Sequence, residues 1–322
     1  LSEQTQEDLL RFLEKFLPKY NYLFIEWFGG EPLLYPNIVI QLSSKIIKLC
    51  ERYGVRYNAH ITTNGFFLDA DLIKVLRKNL ILSYQITLDG TRETHDKQRV
   101  LQNGKGTWNH IVSNLMDIRD NIHTPTISIM IRTNITKEIC DNKEEYLLFL
   151  RNNFAGDRRF HFLWKLAEDW GHMEQADKGM LCGIKEYHSV VSMANDLGLR
   201  TRFLRKTFTI GGRMCEAGKK NNFILYADGS IGKCARGLNP EINIIGNSKD
   251  LVIKGEDILE TALNNVVGYH TGKCENCVKR PLCLSQICPM ETINNCGYEM
   301  ENIDFILESI ATTDDRCIIR NS

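Results

Sequence analysis

The chain has 322 residues, 43% hydrophobic and 25% charged, and its 40 basic and 40 acidic residues cancel. That balance describes a globular protein with a full core, and leaves no electrostatic footprint for nucleic acid or an anionic membrane. No apolar run approaches the roughly 20 residues that span a bilayer, and the opening Leu1-Ser2-Glu3-Gln4 is not a signal peptide.

A length of this order suggests about two domains, or one barrel with an addition. In the N-terminal half helix and strand alternate. Ser2 or Thr5 can cap a helix carrying Leu9, Leu13, Phe16 and Leu17 at helical spacing, closed by Pro18. Residues 22–28 read as a buried strand, followed by a helix over 37–52 with Ile38, Leu42, Ile46 and Leu49 inward. Residues 55–62 alternate as a strand, Asp69 caps a helix through Leu72, Val75 and Leu76, and 80–88 is the next strand. Residues 91–105 read as a long loop without periodicity. A helix from Thr107, a strand at 126–132, a helix at 142–152 and a strand at 160–166 complete the alternation, which predicts parallel βαβ units.

Each of these strands ends in polar or glycine-rich residues: Gly29-Gly30-Glu31-Pro32, Thr62-Thr63-Asn64-Gly65, Asp89-Gly90 and Thr133-Asn134. Loops at the carboxyl ends of parallel strands are where such folds build active sites. Two adjacent glycines before an acid permit torsions that a side chain forbids and let a ligand approach the backbone closely. Beyond 166 the pattern changes. Residues 167–183 are irregular, 184–197 a helix, and 222–234 a hairpin around Asp228-Gly229.

Eleven cysteines are the compositional anomaly. Cys50, Cys140 and Cys182 are scattered, whereas eight fall between Cys215 and Cys317. Their order is Cys215, Cys234, Cys274-x2-Cys277-x5-Cys283-x4-Cys288, then Cys296 and Cys317. A C-x2-C pair grips one metal or cluster from a single turn. Zinc ribbons usually pair two such knuckles and only one is present, so the spacing favours iron–sulfur over zinc. This segment is poor in apolar periodicity, and metal would supply part of its stability.

With these motifs in this order, the chain resembles the radical S-adenosylmethionine (AdoMet) enzymes that carry a C-terminal SPASM domain. Gly29-Gly30-Glu31-Pro32 is similar to the family's GGEP motif, Thr62-Thr63-Asn64-Gly65 to its TNG strand end and Thr87-Leu88-Asp89-Gly90 to its S/T-L-D-G motif. His95-Asp96-Lys97-Gln98-Arg99 and Asn103-Gly104-Lys105-Gly106-Thr107 resemble the two segments that follow. The resemblance implies an α/β fold: a partial (β/α)6 TIM barrel over 1–166, a bridging segment over 167–210 and a SPASM domain over 211–322. It implies that Glu31 takes the methionine ammonium of AdoMet, with Gly29, Gly30, Pro32, Asn64 and Asp89 around it. Thr87 and Arg99 are then the candidates for the carboxylate and ribose. For Thr87 and Asn64 simple strand termination stays open, as does a surface ion pair for Arg99.

The resemblance also implies two auxiliary [4Fe–4S] clusters, one held by Cys215, Cys234 and Cys288, the other by Cys274, Cys277, Cys283 and Cys296, with Cys317 as the alternative. The first then has three evident ligands and an open iron that suits a substrate thiolate. The family's C-x3-C-x2-C motif, which holds the cluster that cleaves AdoMet, does not occur in residues 1–322. Its ligands are expected before Leu1, and the fragment alone is expected to be inactive. Ala235 follows Cys234 where sulfatase maturases carry a basic Asp. The implied activity is an oxidoreductase-type peptide maturase that forms a thioether or carbon–carbon crosslink through a 5′-deoxyadenosyl radical. A formylglycine-forming sulfatase maturase and a non-catalytic iron–sulfur or zinc protein are the alternatives. The expected partners are a peptide or protein substrate and a flavodoxin or ferredoxin donor, without nucleic acid or membrane, in the cytoplasm.

Overall fold

The computed structural model describes residues 1–167, 180–199, 219, 221–235 and 243–253. By packing the chain divides into two units, Asn21–Arg202 and Leu1–Tyr20 together with Phe203–Ser322.

The first unit is built on five strands: β1 (Tyr22–Trp27), β2 (Arg56–Thr63), β3 (Ile81–Thr87), β4 (Ser128–Ile135) and β5 (Phe160–Leu166). They pair in sequence order and every pair is parallel. Right-handed crossovers that always step in one direction put every connecting helix on the same face of the sheet. The burial pattern agrees. Ala59 and Ile61, Tyr84 and Ile86, Ile129 and Ile131, Phe160 and Phe162 are almost fully buried, while the residues between them are half-buried. That second face carries His60 and Thr62, Ser83, Gln85 and Thr87, Met130, Arg132 and Asn134, His161 and Lys165. A curled parallel sheet with helices outside and a largely polar inner face is the arrangement expected of part of a barrel.

The helices of this unit are α2 (Pro36–Arg52), α3 (Ala70–Lys78), α4 (Arg92–Gln98), α5 (Trp108–Asn121), α6 (Lys137–Asp141), α7 (Lys143–Asn153) and α8 (Ile184–Asp196). Asp69 caps α3 as expected, accepting from Leu72 N. Two helix faces are rotated from the sequence reading. In α2 Val39 rather than Ile38 joins Leu42, Ile46 and Leu49 in the core, and in α3 Ile73 and Leu76 are buried while Val75 is exposed. The stretch read as a loop over 91–105 contains α4, and α6 was not anticipated.

The second unit pairs the first helix, α1 (Glu3–Phe16), capped by Ser2, with a small antiparallel sheet. Its strands are β6 (Ile224–Leu225), β7 (Ser230–Gly232), β8 (Ile244–Asn247) and β9 (Val252–Ile253), in that order. Phe12 of α1 packs on Ile231 and Ile245, with Phe16, Phe223 and Leu225 around them. Lys15 Nζ donates to Leu251 O at 2.8 Å. The helix that the sequence placed with the barrel therefore groups with the hairpin, because its aromatic residues complete the hairpin's core.

The N-terminus of α5 is held from outside the helix. Asp96 of α4 accepts from Thr107 N at 2.8 Å and Trp108 N at 2.9 Å, which satisfies two N–H groups that an isolated helix leaves open. A Cβ on Gly106 would stand 2.1 Å from that carboxylate. Gly106→Ala is expected to displace the cap and cost about 1–2 kcal/mol. At Gly156, where a Cβ meets nothing within 4 Å, Ala should shift stability by less than about 0.5 kcal/mol. Chemical denaturation of the two variants checks this, and equal effects would show that Asp96 carries no capping energy.

Candidate functional site at the carboxyl ends of the strands

The turn after β1 is shaped by its glycines. Gly29 and Gly30 have φ of 94° and 56°, in the left-handed region that other residues seldom adopt. A Cβ at either would meet nothing within 4 Å, so the space above this turn is open. Glu31 follows and fastens three backbone or hydroxyl donors: Leu33 N at 2.9 Å, Thr63 Oγ1 at 2.7 Å and Asn64 N at 2.7 Å. The carboxylate thus joins the end of β1 to the end of β2. Each carboxylate oxygen offers two acceptor sites, so these three bonds leave acceptor capacity for a further donor.

The turn after β3 is anchored more densely. Asp89 is buried, and its carboxylate accepts from Arg99 Nε at 2.7 Å and Asn134 N at 2.7 Å. Its own N–H donates to His95 Nδ1 at 3.1 Å. The His95 proton is therefore on Nε2, which donates to Thr107 Oγ1 at 3.0 Å, and that hydroxyl passes on to Arg99 O at 2.8 Å. The hydroxyls of Thr133 and Tyr146 converge on the Leu88 carbonyl. Trp108 Nε1 donates to Gly90 O at 3.3 Å. Arg99 is thus no surface ion pair: its partner is a buried carboxylate, and only the arginine reaches solvent.

Around this turn lies a cavity of about 290 Å³ lined by Asp89, Arg99, Arg132, Asn134, Thr136 and Lys165, with Met180 and Leu181 on one side. Three cationic side chains, Arg99, Arg132 and Lys165, line the cavity with one carboxylate, Asp89, which is paired with Arg99. Thr136 is buried and its Oγ1 has no hydrogen-bond partner among the described residues. Thr87, the last residue of β3, is paired in register with Arg132 on β4, so the two neighbour each other on the inner face.

Of the residues singled out from sequence, Asp89 and Arg99 line the cavity, Glu31 and Asn64 are tied together, and Gly29, Gly30 and Pro32 form the adjoining turn. Arg132, Thr136 and Lys165 were not singled out. Arg132 and Thr136 flank the Thr133-Asn134 strand end, and Lys165 is a single cation near the end of an apolar strand, so only position at the carboxyl ends of the strands marks them. Among the cysteines assigned to clusters, Cys234 alone lies within the described residues. It follows β7, its N–H donates to Asn243 Oδ1 at 2.8 Å and its carbonyl accepts from Tyr226 Oη and Asn243 Nδ2. Cys215, Cys274, Cys277, Cys283, Cys288, Cys296 and Cys317 lie outside the described residues. Cys140 and Cys182, scattered in sequence, form a disulfide. Cys50 is buried, and burial pushes its thiol up to about 11, far from the range of a reactive thiolate.

Residues 2–141 match the profile of the radical SAM superfamily. This segment is a radical SAM domain. The cysteine-type anaerobic sulfatase-maturating enzyme of Clostridium novyi (strain NT) is 25% identical to the chain over 292 residues, covering 80% of this chain and 71% of that protein. Among solved structures, native anSMEcpe with bound AdoMet and Cp18Cys peptide superposes with a TM-score of 0.68 at 16% identity, over 97% of this chain and 88% of that one. Streptococcus suis SuiB does so with 0.52 at 16% identity, over 86% and 65%. The radical SAM domain places the chain among oxidoreductase-type enzymes, and the motifs collected above are the strand-end turns of that domain. Among the described residues no helix is long and apolar enough to cross a membrane.

His95 makes the turn after β3 sensitive to pH. Burial, with the Arg99 charge adding to it and Asp89 and Asp96 opposing, lowers His95 from its ordinary 6.5 to about 4. The unfolded chain takes up this proton below about 6.5 while the folded chain does not. The stability His95 contributes is therefore complete above 6.5 and is lost as pH falls towards 4. Denaturation midpoints at pH 7.5 and 4.5 should differ by on the order of 2–3 kcal/mol more in the native chain than in His95→Gln. The same pH dependence in both would contradict the neutral, bonded imidazole.

Proposed function

We propose that the strand-end turns and the cationic cavity bind AdoMet, and that the chain is a radical SAM enzyme acting on a peptide. The observation that carries this reading is that an acid and two glycines with open space above them follow β1 at the same carboxyl end of the parallel sheet as the cavity lined by Arg99, Arg132 and Lys165. The residues fit the cofactor's chemistry. Glu31, with acceptor capacity left, suits the methionine ammonium, and Gly29 and Gly30 let it approach the backbone without a clash. Arg99, oriented by Asp89, suits a carboxylate, and Thr87, Arg132 and the unpartnered Thr136 hydroxyl are polar groups for the carboxylate and ribose. Asn64 and Pro32 complete the wall.

AdoMet held by these residues beside a reduced [4Fe–4S] cluster would supply radical hydrogen-abstraction chemistry. The chain's own residues hold the two ends of the cofactor and set where its ribose faces. In this reading Cys215, Cys234 and Cys288 hold one auxiliary cluster, and Cys274, Cys277, Cys283 and Cys296 or Cys317 a second, in a SPASM-type domain. The backbone bonds that hold Cys234 rigidly after its hairpin support a ligand role for it. A flavodoxin or ferredoxin is the proposed electron donor.

The product we favour is a thioether or carbon–carbon crosslink in a ribosomally made peptide, because Ala235 cannot take the proton that a formylglycine-forming oxidation releases next to Cys234. The similarity to a sulfatase-maturating enzyme favours that oxidation as the second reading. The full-length protein, loaded anaerobically with iron and sulfide and reduced, is expected to release 5′-deoxyadenosine from AdoMet. Glu31→Ala should weaken AdoMet binding at least tenfold, about 1.4 kcal/mol. Mass spectrometry of a cysteine-containing substrate separates the products: a crosslink removes two hydrogens, whereas formylglycine formation replaces the thiol by an aldehyde. No 5′-deoxyadenosine from the reconstituted protein would leave the non-catalytic alternative.

A further inference from the structure

One wall of the cavity does not come from the sheet. Met180 and Leu181 line it, just ahead of α8. Two ties hold this stretch to the end of β4 and the helix after it. Leu181 makes an antiparallel bridge to Thr136, and Cys182 is disulfide-bonded to Cys140 of α6, with a Cα–Cα distance of 6.8 Å. Both cysteines are buried. From Gly183 onward the chain is held differently: the Gly183 N–H donates to the Glu186 carboxylate at 2.6 Å, and α8 packs on α6 and α7. Among the described residues Leu181 is positioned by a backbone bridge on one side and by the disulfide on the other. The residue it bridges, Thr136, also lines the cavity. The pair is separated by 42 residues in sequence and stands apart from the C-terminal cysteine block, so cluster binding does not account for it.

We propose that Cys140 and Cys182 form a redox latch on the cavity. Joined, they hold the Met180–Leu181 wall against Thr136. A dithiol reductant exchanges with the bond, leaving two thiols on the protein and becoming a cyclic disulfide itself, so that electrons and protons balance. Among the described residues only the bridge then ties Leu181 to the sheet, the wall loosens, and the cavity binds its ligand less tightly. That this ligand is AdoMet rests on the function proposed above; the loosening of the wall does not.

The full chain is prepared anaerobically in oxidised form and after treatment with dithiothreitol, and amide hydrogen exchange is followed by peptide mass spectrometry. Exchange over 180–183 is expected to rise at least tenfold on reduction, while the core of β3 and β4 is unchanged. A chain with both Cys140→Ser and Cys182→Ser should exchange at the fast rate with or without dithiothreitol. AdoMet affinity, measured by calorimetry on the same samples, should fall about tenfold on reduction and stay low in the double variant. Equal exchange in the two states, or two cysteines that remain thiols in the oxidised chain, would overturn the latch, as would a loosened wall with unchanged AdoMet affinity. AdoMet binding to neither form overturns the cofactor reading, and the exchange rates then decide by themselves whether the latch moves the wall.

Discussion

The buried carboxylate of Asp89 is the constraint on which the rest of the site depends. A buried charge is tolerated only when it is paired and hydrogen-bonded, and this one is met from two directions, by Arg99 after α4 and by Asn134 at the end of β4. That requirement explains the residues that follow β3. His95 receives the Asp89 N–H and turns the chain back, Asp96 caps the next helix, and Arg99 returns to the carboxylate. Gly106 is small because the Asp96 carboxylate occupies the place of its Cβ. Motifs that look separate along the chain are parts of one support for a single turn.

The parallel sheet sets where such turns meet. Strands added in sequence order bring five carboxyl ends side by side, so an acid after β1 and a hydroxyl at the end of β2 bond directly. The fully buried strand residues face the helices, while His60, Gln85, Arg132 and His161 make the opposite face largely polar, which suits the charged cofactor proposed to lie there.

The strands and most helices were legible because their apolar residues repeat with the period of two or of 3.6. The strand-end turns were legible because glycine and carboxylate together have few other uses there. What was hidden lacks such a signal. The segment Arg92–Gln98 has no apolar stripe, and its helix is held by His95 and Asp96 reaching elements distant in sequence. Ile38 and Val39 are adjacent, so periodicity alone does not choose between them, and contact with the sheet does. Arg132 and Lys165 carry no motif of their own and are marked only by their register at the carboxyl ends of β4 and β5. The Cys140–Cys182 pair has a separation that resembles no motif, and three-dimensional proximity alone reveals it. The clustered cysteines show the opposite case: their spacing in sequence is informative, while all but Cys234 lie outside the described residues.

The central claim is that AdoMet lies across the carboxyl ends of these strands, and a crystal structure of the full-length protein with AdoMet bound tests it most directly. The account predicts density for the methionine ammonium at the Glu31 carboxylate above Gly29 and Gly30, with the carboxylate and ribose reaching Arg99, Arg132 and Thr136 while the Asp89–Arg99 pair stays intact. Density elsewhere, or an Arg99 that leaves Asp89 to make room for the ligand, would contradict it.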